Sequence, residues 1–169
     1  MTRATQYGEA FVGSGAEAAH LNTVLGPKGS AAEVAWTTAL ATPRDGHASF
    51  VVCLQPNLAV KPMTLFINKA KIESETHAAM TWGPAQAGVA TGVLEAIAAG
   101  VIDPAIVDDL VLLAAVWVAP LAADADLVYD NNRIATHEAL SNGTQGLPRL
   151  DDLLAARHRP FNGYYLNKA

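Results

Sequence analysis

The sequence predicts an α+β fold, a two-layer sandwich with helices on a mixed sheet. Three observations predict it. Short apolar runs alternate irregularly with segments of helical spacing, which suits neither a helical bundle nor a regular βαβ repeat. One run, Leu110 to Pro120, is apolar throughout and reads as the buried central strand. The chain has 169 residues, 51% of them hydrophobic and 16% charged, so one domain over 1–169 buries a core without disulfide or metal. Residues 162–169 read as a C-terminal tail.

The elements follow in order. Tyr7 to Val12 reads as a strand closed by Gly13-Ser-Gly15. Glu17 to Leu25 fits strand and helix equally. Gly26-Pro-Lys-Gly29 is a turn, because glycine tolerates positive φ and proline fixes its own. Ser30 then caps a helix over Ala31–Leu40, with Glu33 three residues on as in a capping box. Phe50–Leu54, bounded by turn residues, is a short strand, and Thr64–Ile72 is another. Pro84 to Ala99 carries strong helical grammar: proline near the first turn, Val89, Val93 and Ile97 four apart, and Gly100 as the stop. Asp103-Pro104 opens a short helix, Leu110–Ala119 is the central strand, and Asp130–Asn142 and Leu150–Arg157 read as helices.

Composition excludes several classes. Eleven Lys+Arg against 16 Asp+Glu give a net charge of −5, which argues against a broad nucleic-acid footprint. The apolar content is too high for disorder. The longest apolar run is about ten residues, short of the ~20 that a spanning helix needs. Cys53 is the single cysteine, and the first residues lack a signal-peptide run, so a cytoplasmic setting is expected. There Asn142-Gly-Thr144 is a chance sequon. Alanine makes up about a fifth of the chain, and so much small apolar surface needs a destination.

Few motifs carry chemistry on pattern alone. Gly13-Ser-Gly15-Ala-Glu-Ala18 fits a relaxed dinucleotide pattern, but Gly26-Pro27 leaves too little room for the crossover helix that pattern requires. Gly26-Pro-Lys-Gly-Ser30 lacks the spacing of a phosphate loop. The five histidines show no zinc-ligand spacing, so no metal is expected. If residues 17–25 form a strand, His20 and Asn22 share a face, and two polar groups there need partners, whether protein, water or ligand. Lys61, Lys69 and Lys71 are three of five lysines, gathered within eleven positions. Alternation puts Lys69 and Lys71 on one strand face, as a small anion site or as a lysine-guarded edge.

Taken in order along the chain, a series of segments resembles the tetrahydromethanopterin-dependent formaldehyde-activating enzyme family. The match is carried by Gly8-Glu-Ala-Phe-Val-Gly13, Glu17-Ala-Ala-His20, Gly26-Pro-Lys-Gly29, Ala48–Leu54 and Pro56-Asn-Leu58. It continues through Lys61-Pro62, Thr64-Leu65, Asn68-Lys69, Gly83-Pro-Ala-Gln86, Asp108-Asp-Leu110 and His158-Arg-Pro-Phe161. The resemblance spans roughly residues 6 to 161, favours the strand over residues 17–25 and disfavours the dinucleotide reading. It implies a ribosomal-protein-type βαβ subunit in a homopentamer, with sites in clefts between subunits. The small-residue helix 84–99 is then expected to lie where neighbouring copies approach.

The activity it implies is condensation of formaldehyde with tetrahydromethanopterin, a co-substrate, to methylene-tetrahydromethanopterin and water, in one-carbon metabolism and formaldehyde detoxification. The family's general acid falls on His20, and its pterin-contacting positions on Asn22, Val51, Lys69, Lys71 and Gln86. In that chemistry a pterin amine adds to formaldehyde, and loss of the resulting hydroxyl as water is the difficult step. Histidine, with an unperturbed pKa near 6.5, suits a proton donor there. Two positions depart from the family pattern: Asn22 replaces an aspartate and Lys71 a threonine. Both shift the expected pocket towards positive charge, which opens an alternative reading as a weakly catalytic or non-catalytic pterin-binding or formaldehyde-sensing homologue.

Overall fold

The computed structural model describes residues 4–162 and 165–166. The chain begins with an antiparallel pair, β1 (Gln6–Val12) and β2 (Ala19–Pro27), joined through a 3-10 turn at Gly15–Glu17. The ambiguous segment therefore resolves as strand from Ala19 onward, with Glu17 in the 3-10 turn, and no crossover helix follows Gly13–Ala18. That removes the seat of the dinucleotide reading.

Helix α1 (Ala31–Ala41) starts where Ser30 accepts a hydrogen bond from the Ala32 N–H. Glu33 reaches back as expected, though its carboxylate accepts from the Gly29 N–H. The predicted strand Phe50–Leu54 is in fact two. β3 (Phe50–Val51) pairs with β6 (Met63–Asn68), whereas β4 (Cys53–Gln55) pairs with β5 (Leu58–Ala59). The switch falls at the fully buried Val52, whose N–H still donates to Thr64 while its carbonyl already accepts from Val60.

Strand β6 stops at Asn68, four residues before the expected Ile72. There the Asn68 side chain donates to the carbonyls of Gly46 and Ala70, and the ladder runs one bond further, at Lys69, before the chain turns away. The expected helix 84–99 begins earlier. α2 (Glu75–Met80), capped by Ser74, runs through a π-helical turn at Thr81–Ala85 into α3 (Gln86–Ala98). The wide π turn takes up Pro84, whose missing N–H breaks a tighter ladder. A 3-10 segment, Pro104–Asp109, leads into β7 (Leu110–Trp117). The helix expected over Asp130–Asn142 is longer at both ends: α4 spans Ala125–Gln145, with Asp124 accepting from the Asp126 and Leu127 N–H groups. α5 (Leu150–Ala156) precedes the antiparallel pair β8 (Phe161–Asn162) and β9 (Tyr165–Leu166). The expectation of a separate tail falls largely outside the described residues.

Among the described residues the main sheet has the order β1-β2-β7-β6-β3. β7 is central as expected, antiparallel to β2 and parallel to β6, so the sheet is mixed. α3 and α4 cover one face and enclose a core that includes Leu21, Phe66, Val89, Val93, Leu112 and Leu140. This is the two-layer α+β sandwich predicted. α1 lies on the opposite face near one end, where the Trp36 indole donates to the Met63 carbonyl.

Two of the small residues of α3, Gly88 and Gly92, are packed within the chain. A Cβ on Gly88 would sit 2.4 Å from the Tyr129 carbonyl oxygen, and one on Gly92 2.5 Å from that of Arg133. The close approach is thus to α4 of the same chain, and these two glycines permit it. Arg133 reinforces the contact through both Glu95 carboxylate oxygens, at 3.0 and 3.1 Å.

Candidate active site

Strand alternation builds the site. Along β2, Ala19, Leu21, Thr23 and Leu25 turn into the core, leaving His20, Asn22 and Val24 on the opposite face. Cross-strand register then fixes their company. Glu9 stands opposite Asn22 and Phe11 opposite His20 on β1, while Ala115 and Trp117 stand opposite the same two residues on β7. One open sheet face therefore gathers an acid, an imidazole, an amide and two aromatic rings.

His20 Nε2 lies 3.0 Å from Glu9 Oε1, with the two side chains 41% and 58% exposed. The Phe11 ring is tilted against the imidazole with centroids 6.0 Å apart. Lys69 follows β6 by one residue, and its N–H continues the ladder by donating to the Val116 carbonyl. Its ammonium crosses to Asn22 and donates to Oδ1 at 2.7 Å. Burial pushes the Lys69 pKa below the usual lysine value, and the nearby Glu9 charge acts in the opposite sense. His20, Asn22 and Lys69 are thus brought together as their types suggest.

A second group lies at the β3 edge. The strand switch at Val52 and the π turn before α3 frame a cleft of about 400 Å³ lined by Ala48, Phe50, Val51, Cys53, Trp82 and Gln86. The switch exposes the Cys53 carbonyl, which accepts from Gln86 Nε2 at 2.6 Å. Gln86 keeps a second N–H and its carbonyl oxygen for other partners. Val51 lies on the same side of the sheet as His20 by register through Leu65, Leu113 and Val24, although Leu65 and Leu113 between them are buried. Three strand spacings separate β2 from β3, about 14 Å.

The lysines do not form one patch. Lys61 precedes β6 and pairs with Asp108, whereas Lys69 follows its other end. Because β6 ends at Asn68, Lys71 no longer alternates with Lys69. Its ammonium lies 3.0 Å from Asp45, whose carboxylate raises the lysine pKa by hydrogen bonding and charge. The expected gain of positive charge from Lys71 is thereby compensated. Nor is β6 a guarded edge, since it lies between β7 and β3.

Sequence reasoning assigned nothing to Glu9, Phe11, Trp82 or Trp117. Glu9 and Phe11 were legible as a period-two pair on a strand, but their meeting with His20 depends on the β1–β2 register. Trp82 reaches the cleft through the π turn, which leaves no pattern in the sequence. Among the described residues no group of three or more His, Cys, Asp or Glu is placed to hold a metal ion, and no helix is long and apolar enough to cross a membrane.

Comparison with known proteins adds an independent line. Residues 7–164 match the family described as formaldehyde-activating enzyme (Fae). A protein of Methanosarcina barkeri named 5,6,7,8-tetrahydromethanopterin hydro-lyase is 40% identical over 150 residues, 89% of this chain and 84% of its own length. Proteins of Methanosphaerula palustris and Methanosarcina mazei, both named bifunctional enzyme Fae/Hps, are 35% and 37% identical. Those matches cover 91% and 88% of this chain but only 39% and 38% of the longer relatives.

Proposed function

The chain belongs to the formaldehyde-activating enzyme family, and from that membership we propose that it condenses formaldehyde with tetrahydromethanopterin, yielding methylene-tetrahydromethanopterin and water. It is a carbon–oxygen lyase whose tetrahydromethanopterin is a co-substrate. The observation that carries the reading is the imidazole of His20 on an open sheet face, flanked by Glu9 and close to the Lys69–Asn22 pair. A proton donor beside polar anchors suits loss of a hydroxyl from a bound amine adduct.

Each side chain has a task in this proposal. His20 gives a proton to the departing hydroxyl. Lys69 and Asn22 hold a polar edge of the pterin. Val51 packs against its ring in the cleft, where Gln86 offers a donor and an acceptor to its amide edge. Lys71, half exposed, meets the polar tail at the rim by exchanging Asp45 for it. No step calls on a metal.

The site is shared between copies in a homopentamer. Two features support this. Tyr7 and Phe11 are 68% and 59% exposed on the face that carries His20, a costly display for a lone subunit. β3 stands about 14 Å across the strands from β2, and Val51 is level with Val24 rather than His20, so a second copy brings a cleft to each acid. The free Cys53 suits a reducing cytoplasm.

Stopped-flow absorbance of formaldehyde mixed with tetrahydromethanopterin tests the activity. Condensation faster than the uncatalysed reaction is expected, with His20→Ala lowering the enzymatic rate about 10²–10⁴-fold. A wild-type rate equal to the uncatalysed one overturns the proposal.

A further inference from the structure

Glu9 has no task in the reading above, yet among the described residues it is the acid paired with His20. Its placement is specific. Register sets Glu9 opposite Asn22, which makes His20 its diagonal neighbour, within reach of a long side chain. The Glu9 backbone is itself held, because its carbonyl accepts from Asn142 Nδ2 of α4 at 3.0 Å. The imidazole is thus set between the Phe11 ring and the carboxylate of a residue whose backbone is tied to α4.

We infer that Glu9 is the positioning residue of the reaction: its carboxylate holds the Nε2–H of His20, so that Nδ1 is the atom that delivers the proton. The inference rests on His20 being the acid. An imidazolium carries a proton on each nitrogen, and the one on Nε2 stays with Glu9. The Nδ1 proton goes to the departing hydroxyl, which leaves as water while the carbon–oxygen bond breaks. The ring remains neutral as the Nε2–H tautomer. Closure by the second amine forms the new carbon–nitrogen bond and releases one proton, which restores Nδ1–H. Protons balance with no further reactant.

Two variants and two readouts test this. Glu9→Ala removes the acceptor, and Glu9→Gln keeps an acceptor without its charge. With histidine-labelled protein, ¹⁵N resonances assigned through His20→Ala report the tautomer independently of turnover. At alkaline pH, where the ring is neutral, the wild type is expected as the Nε2–H form, and Glu9→Ala as a mixture of both tautomers. Glu9→Ala is also expected to lose about tenfold or more in kcat, with KM for the pterin moving less than roughly twofold. Glu9→Gln is expected to restore the tautomer and part of kcat. Unchanged His20 resonances in Glu9→Ala overturn the inference, as does a wild-type kcat in that variant. If the wild type shows no condensation but the tautomer shifts as expected, the proposed function fails and the Glu9–His20 pairing is upheld.

Discussion

Lys69 and Lys71 lie two residues apart under opposite electrical conditions. Lys71 faces the Asp45 carboxylate in open solvent, and Lys69 is half buried against the neutral oxygen of Asn22. The consequence for Lys69 is a pH dependence with a defined sign. Burial lowers its pKa in the folded chain below 10.5, so between that lowered value and 10.5 the unfolded chain binds more protons. Stability from this group therefore rises with pH across that window, and its cost is fully present at neutral pH. Urea midpoints of wild type and Lys69→Met, compared at pH 8 and near 10.5, are expected to shift in favour of the wild type at the higher pH. Lys71→Ala is expected to leave the urea midpoint unchanged, because an exposed pair is screened. In turnover assays Lys69→Ala is expected to raise KM for the pterin well above the effect of Lys71→Ala.

At the scale of elements, the contact between α3 and α4 makes the sharpest prediction. An exposed helical Gly→Ala change gains about 1 kcal/mol from propensity alone. At Gly92 the new methyl meets the Arg133 carbonyl and the Thr136 side chain, so the helices must part or bend. Overpacking of this kind costs roughly 1–3 kcal/mol, and Gly92→Ala is expected to be net destabilising by chemical denaturation. Gly83 has no neighbour within 4 Å of a built Cβ, and Gly83→Ala is expected to be neutral or mildly stabilising. The same elements show what the sequence made legible. Leu110–Trp117 announced itself because a central strand is apolar on both faces, and Ala31–Ala41 because Ser30 and Glu33 mark its start. Asn68 gave no warning that its side chain would end β6, and Val52 none that the ladder would change partners there. The helix at Glu75 was hidden because Pro84 reads as a beginning when a π turn makes it an interior residue. In the site, His20 and Asn22 were legible as a strand pair once residues 17–25 were read extended. Glu9 was not, since its role lies in the register of a neighbouring strand.

For the whole molecule, the question raised by so much alanine divides in two. Part of the small surface is used inside the chain, between the helices of one layer. The other face of the sheet still displays Tyr7 and Phe11 beside the candidate acid. Light scattering is expected to give a mass about five times 17.7 kDa. Tyr7→Arg, which places a charge on that face, is expected to lower it to smaller species and to reduce turnover with it. The position of β7 has a separate consequence, in time. The central strand of the main sheet is its last to leave the ribosome, and Asn142, which ties down the Glu9 carbonyl, comes later still, 133 residues after Glu9. Glu9 and His20 meet within the first hairpin, a local event. Lys69 and Asn22 meet only after β7 has inserted between the two halves, a slow non-local step. The proton-handling pair thus depends on one local strand pairing, and the anchor for the pterin on the meeting of distant parts of the chain.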